Sequence, residues 1–266
     1  MTTEDIKFCL ILAYYDRPRM VRNALESIRD QDYTNWFLTF IDDGSKAPGG
    51  HVVEEILGEK LGQFKSCGYS AEKNATFREY EKGILYRLED TPEIKAAQNG
   101  TRHPEFMNYG VLEVLGAKDS DVVAVICDDD GLYPGALQAL NDYYTVNPAV
   151  GYSYHSLAVF DPFIEKPNPE HANREFWLNH RRDVPSAFCV CDSSQVTYRR
   201  MYFTQHGVRY PNIAGRALDA HLYGLLQNYD ICRFNGLVGA YKGSFSNQLS
   251  YRISPETEYY PIDTEI

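Results

Sequence analysis

Residues Leu10 to Ser45 read LILAYYDRPRMVRNALESIRDQDYTNWFLTFIDDGS. Lys7 to Tyr15 is a continuous apolar run, the pattern of a strand buried on both faces, and it stops at the polar turn Asp16, Arg17, Pro18. Proline suits the first turn of a helix because its missing N–H would have no partner there. Met20, Val21, Ala24, Leu25 and Ile28 then recur at helical spacing up to the break from Asp30 to Asn35. Trp36 to Ile41 predicts a second strand, ending at Asp42, Asp43, Gly44 and Ser45, so carboxylates stand at the carboxyl end of a buried strand.

The β-α-β pattern extends outward from this stretch. Gly50 to Leu61 predicts a helix and Gly83 to Leu88 a third strand, followed by a polar loop from Glu89 to Thr101. Pro104 to Leu115 has helical spacing, and Asp121 to Cys127 is a buried strand running into Asp128, Asp129 and Asp130 before another helix near Pro134. Such alternation implies a mostly parallel sheet with helices on both faces, in which ligands bind outside the carboxyl ends of the strands. Beyond residue 150 the pattern is less regular. It predicts mixed or antiparallel strands around Tyr152 to Val159, a polar connection over Pro162 to Arg182, helices at Ser193 to Gln205 and Gly215 to Asn228, and a last strand near Ile231 to Tyr241. Ser250 to Ile266 shows no periodicity and reads as a surface segment.

Composition narrows the function classes. The 266 residues hold 26 Lys and Arg against 37 Asp and Glu, a net charge of −11, which disfavours broad nonspecific nucleic-acid binding. A hydrophobic fraction of 44% supports a buried core, so intrinsic disorder is not expected. No apolar run approaches the roughly 20 residues of a membrane span, so no stable membrane insertion is expected. The acidic opening Met1 to Asp5 is unlike a secretory signal, and the expected location is the cytoplasm. Six cysteines without a C-x-x-C pair read as reduced. Tyrosine is abundant at 21 residues, and its flat face and hydroxyl suit sugar rings and bases as well as ordinary strand packing.

Three successive acids at a strand end repel one another unless a cation or solvent compensates. A divalent metal, Mg²⁺ or Mn²⁺, does so while leaving positions for phosphate oxygens. Taken alone, the triplet is equally consistent with turn and helix-cap residues. The acidic end of the earlier strand favours the first reading, because both clusters then meet on one sheet edge. Neither G-x-G-x-x-G nor G-x-x-x-x-G-K-[ST] occurs, so phosphate binding would run through metal rather than a glycine cradle.

These segments resemble the inverting glycosyltransferases of family 2, which have the GT-A fold. The resemblance rests on Leu10 to Ser45, on Asn108, on ICDDDGLYPGAL from Ile126 to Leu137 as the D-x-D region, on CVCDSSQVTYRR from Cys189 to Arg200, and on RALDAHLYGLL from Arg216 to Leu226. It covers residues 7 to 230, more strongly in the first half, and is nearest to the bacterial spore-coat polysaccharide type. It implies an α/β fold with a Rossmann-like, mostly parallel central sheet flanked by helices and a smaller mixed acceptor-side subregion. The implied layout is one domain, residues 1–266: a nucleotide-sugar half at about 5–135, an acceptor half at about 136–245, and a tail at 246–266. By the same resemblance, Asp43 contacts the donor base, Ala13 and Tyr15 line its pocket, Lys95 or Arg102 contact base or phosphates, and Asp128 faces the ribose. Asp129, with Asp130 beside it, would bind Mn²⁺ or Mg²⁺, and Asp219 would be the general base.

Many relatives carry an acidic pair where this chain has Leu218 and Asp219, an Asp at the Cys127 position, and a late histidine where it reads Lys242, Gly243, Ser244. The resemblance therefore implies a metal held by the later acids, phosphates and water. The implied donor is a nucleotide-diphospho sugar, uridine-linked, and the acceptor a hydroxyl on a glycan or, in a viral setting, on a hydroxylated DNA base. Tyr198, Tyr202, Tyr210 and Tyr223 are expected acceptor contacts. A noncatalytic sugar-nucleotide or glycan-binding module on the same fold is the alternative. A nucleotidyltransferase is disfavoured because the Asp16 to Arg19 turn is too short, and lacks the glycines, to hold a triphosphate.

Overall fold

The computed structural model describes residues 5–89, 107–108, 111, 121–160, 176–177, 183, 193–210 and 218–243. It is a mixed α/β protein built on one large sheet flanked by helices. In chain order, β1 (Phe8–Tyr14) leads to α1 (Pro18–Arg29), β2 (Trp36–Asp42) and α2 (Gly50–Leu61). The strands β3 (Phe64–Ser70), β4 (Ala75–Tyr80) and β5 (Gly83–Leu88) follow. After β6 (Val122–Cys127) come β7 (Asp130–Leu132), α3 (Ala136–Val146), β8 (Tyr152–Phe160) and β9 (Phe176–Trp177). A 3₁₀ turn at Ser193–Gln195 precedes β10 (Val196–Arg199), α4 (Met201–Thr204), α5 (Leu218–Leu226) and β11 (Arg233–Gly243).

The sheet order is β3-β4-β5-β2-β1-β6-β10-β8-β11-β7, with β9 on β8. The four strands β5, β2, β1 and β6 run parallel, and β1 is central, with Tyr14 opposite Asp42 on one side and Ala13 opposite Cys127 on the other. The two acidic strand ends therefore lie on the same edge, either side of β1. Alternation along β1 divides the core. Phe8, Leu10, Leu12 and Tyr14 face α1, α2 and α3, whereas Cys9 and Ile11 face a second cluster containing Tyr152, Tyr154, Tyr198, Phe203 and Leu226. Helix α1 buries Met20, Val21, Ala24, Leu25 and Ile28 as its spacing predicts, and a fully buried leucine such as Leu25 contributes about 1.5–3 kcal/mol.

The structure departs from the sequence reading in three places. Phe64 to Tyr80 forms an antiparallel hairpin at the sheet edge, which carries no apolar alternation because β3 is open to solvent on both faces. The helix expected over Ser193 to Gln205 is instead the short turn, strand β10 and the four-residue α4. Val196, Thr197 and Tyr198 are buried because β10 inserts antiparallel between β6 and β8, where a β-branched and aromatic triplet packs better than in a helix. Third, Tyr198, Tyr202, Tyr210 and Tyr223 are all buried in the second core cluster and are packing residues, not a surface for an acceptor. Most of the Pro162 to Arg182 connection, Cys189, Cys191 and the tail from Ser250 lie outside the described residues.

Candidate active site at the acidic strand ends

The turn after β1 is built by side chains that replace backbone partners. Asp16 takes a left-handed conformation, φ 48°, its N–H donates to Ser45 Oγ at 3.0 Å, and its Oδ1 accepts from the Ala47 N–H at 3.1 Å. The Tyr14 hydroxyl donates to the Ala47 carbonyl at 2.7 Å. Asp42 is buried and closes the facing turn, accepting from the N–H groups of Ser45 at 2.8 Å and Gly49 at 2.9 Å. Its role is to shape that loop. Asp43, whose N–H donates to the Tyr14 carbonyl at 3.0 Å, is the half-buried acid of this pair; Ala13 is half-buried and Tyr15 exposed.

Across β1, the acid triplet is held as tightly. Asp128 is buried, and both its oxygens are engaged: Oδ2 accepts from the Tyr15 N–H at 3.1 Å and Oδ1 meets Arg17 Nη2 at 2.8 Å. Arg17 Nη1 reaches Asp129 Oδ2 at 2.7 Å, so one guanidinium bridges two adjacent carboxylates. Burial pushes the Asp128 carboxyl above the usual range, while Arg17 acts in the opposite direction. Sequence reasoning missed Arg17, since one arginine in a polar turn looks like any solvated cation. The available signal was its place directly before Pro18, which fixes it at the mouth of α1.

Asp130 opens β7 and is buried, with Oδ2 accepting from Ser194 Oγ at 2.7 Å. The Ser194 carbonyl in turn accepts from Nε2–H of the buried His155 at 2.9 Å. Helix α1 and the turn after it fix the backbone beyond the triplet, because Ser27 Oγ accepts from the Leu132 N–H at 2.9 Å and Gln31 Nε2 donates to the Tyr133 carbonyl at 2.9 Å. Strand β11 returns to the site, placing Lys242 opposite Asp130 and Tyr241 opposite Gly131 in register. Lys242, the first residue of the late segment singled out in the sequence, thus pairs with the acidic turn, and Ser244 lies outside the described residues.

A divalent cation fits this turn on chemical grounds. One ligand atom each from Cys127, Asp129 and Asp130 lies within 4.8 Å of the others, and two carboxylates are donors suited to Mg²⁺ or Mn²⁺. The remaining expected residues are not brought into view. Lys95 and Arg102 fall outside the described residues, and Asp219 lies within α5 with its side-chain surroundings outside them. Asn108 is a latch, its amide bonded to the Tyr210 backbone at 2.9 Å and 2.7 Å. Among the described residues, no helix is long and apolar enough to cross a membrane.

No protein-family model matches the chain, and no curated protein matches it in sequence. Solved structures do match in fold. S. aureus TarS 1-349 superposes with a TM-score of 0.61 at 14% identity, over 90% of this chain and 61% of that one. The same protein in complex with UDP-GlcNAc gives 0.60 at 14% identity, over 91% and 60%. The mannosyltransferase PcManGT from Pyrobaculum calidifontis, in complex with GDP-Man and Mn2+, gives 0.51 at 14% identity, over 94% and 59%. The chain therefore spans about three-fifths of the length of these structures and shares with them a mixed α/β fold on a large central sheet.

Proposed function

We propose that this chain is an inverting glycosyltransferase of the family 2, spore-coat-like type, moving a sugar from a uridine-linked nucleotide-diphospho sugar to an acceptor hydroxyl. The observation that carries the proposal is the meeting of two acidic strand ends across β1, at the edge where open α/β sheets bind ligands. The fold shared with structures holding UDP-GlcNAc or GDP-Man and Mn2+ supports it. The acceptor is a glycan, with a hydroxylated DNA base as the second candidate, and the place of action is the cytoplasm. One domain holds both substrates, with the donor half at about 5–135 and the acceptor half at about 136–245.

In this reading Asp43, Ala13 and Tyr15 hold the base, Asp128 faces the ribose, and Lys95 or Arg102 contacts the base or phosphates. Asp129 and Asp130 hold Mg²⁺ or Mn²⁺, which when bound stabilises charge on the departing diphosphate. Asp219 takes the proton of the acceptor hydroxyl as that oxygen attacks the anomeric carbon from the face opposite the diphosphate. The product anomer is therefore inverted. The buried and cross-linked turns at Asp16, Asp42 and Asp128 keep these groups in place before the donor arrives.

The test is release of UDP from UDP-sugars with Mn²⁺, using water or a glycan panel as acceptor. The wild type turns over, and Asp219→Asn lowers turnover by about 100-fold or more while donor affinity is unchanged. Donor binding without turnover in the wild type would instead leave the protein a sugar-nucleotide binding module.

A further inference from the structure

We infer that Arg17 is a displaceable internal counter-ion, so that a divalent cation and a nucleotide diphosphate enter the site cooperatively. The inference rests on the donor-site reading above and concerns how that site is held before it is filled. The two contacts of the guanidinium are not equivalent. Asp128 is anchored, with a side chain 3% exposed and its second oxygen committed to the Tyr15 N–H. Asp129 is more open, at 13%, and its carboxylate also belongs to the cluster with Cys127 and Asp130. A cation drawing on Asp129 competes with Arg17 Nη1 for that carboxylate and repels the guanidinium beside it.

The backbone of Arg17 stays put during such an exchange. Its carbonyl accepts from the N–H groups of Met20 at 3.1 Å and Val21 at 3.0 Å, which start α1. The side chain can therefore pivot on Asp128, keeping Nη2 on Oδ1 while Nη1 leaves Asp129. The freed N–H donors need acceptors, and a half-buried guanidinium without them is costly. Diphosphate oxygens match its planar fork. A cation alone must break the Arg17–Asp129 pair with nothing to replace it, whereas a cation arriving with a diphosphate leaves every charge paired.

The experiment titrates the full chain with Mn²⁺ by electron paramagnetic resonance, with and without UDP, in the wild type, Arg17→Gln, Arg17→Lys and Asp129→Asn. In the wild type, UDP tightens Mn²⁺ binding by about tenfold or more, and by linkage Mn²⁺ tightens UDP by the same factor. Arg17→Gln binds Mn²⁺ alone about tenfold more tightly than the wild type, and the factor by which UDP tightens Mn²⁺ falls correspondingly, toward what direct phosphate–cation contact supplies. Arg17→Lys presents one point charge that cannot bridge both acids and shows a reduced coupling factor. If Arg17→Gln fails to fold by circular dichroism, the lysine variant decides. Tight Mn²⁺–UDP binding by the wild type, with either arginine variant leaving Mn²⁺ affinity and coupling unchanged or weakening Mn²⁺ alone, overturns the inference and leaves the donor site standing. No Mn²⁺ binding by any protein, with or without UDP, removes the donor-site reading and this inference together. Asp129→Asn fixes the site by losing Mn²⁺ binding.

Discussion

His155 is a single buried side chain with a measurable consequence. Its Nε2–H donates to the Ser194 carbonyl, which fixes the tautomer, and its Nδ1 has no partner among the described residues. Burial pushes its pKa down from 6.5 to about 4. Between those values the unfolded chain binds a proton that the folded chain does not, so the contribution to stability rises with pH across that window and falls on acidification. The full difference is on the order of 3 kcal/mol. Urea titrations from pH 7 to pH 4 should show a shallower loss of stability in His155→Gln, whose amide can still donate to Ser194, than in the wild type. Equal slopes would show that His155 is not the group being protonated. The residue scale is also where the sequence was least legible. Asp42 and Asp43 look alike as letters, and hydrogen bonds from Ser45 and Gly49 mark the first as a loop-builder.

At the scale of elements, β7 and β11 are held together beside Asp130 by a glycine that cannot be replaced without movement. A Cβ on Gly131 would collide with the ring of Tyr241, whose hydroxyl donates to the Asn23 carbonyl of α1 at 3.2 Å. Gly131→Ala should therefore cost about 1–3 kcal/mol in urea denaturation and weaken UDP binding with it. An unchanged midpoint would contradict this packing. The elements that were legible in advance bury one regular face or both: β1, α1, β2, α2, β6 and α3 lie within a few residues of their expected bounds. Those that were not follow from tertiary context. Strand β3 is exposed on both faces and shows no period. The three residues of β7 are too few to show one, and β10 owes its strand conformation to the slot between β6 and β8.

At the scale of the whole molecule, one sheet carries strands from both halves, and β11 brings the late segment back to the triplet that ends β6. That the two acidic ends share one edge was readable from the alternating pattern, because parallel strands present their carboxyl ends to the same edge, whereas the place of β6 directly beside β1 came from the structure. The charge balance was not readable. The sequence pointed to a divalent metal as the compensation for three acids, and the structure adds Arg17 from the turn after β1. On the proposed function, these strand ends bind a nucleotide diphosphate through a cation. Calorimetry with a panel of nucleoside diphosphates and their sugars, with and without Mn²⁺, on wild type and Asp129→Ala, tests it most directly. Mn²⁺-enhanced binding of the uridine compounds, lost in Asp129→Ala, is the expected result. Absence of binding by every nucleotide under both conditions would contradict it and leave the acidic turns as structural features of the sheet edge.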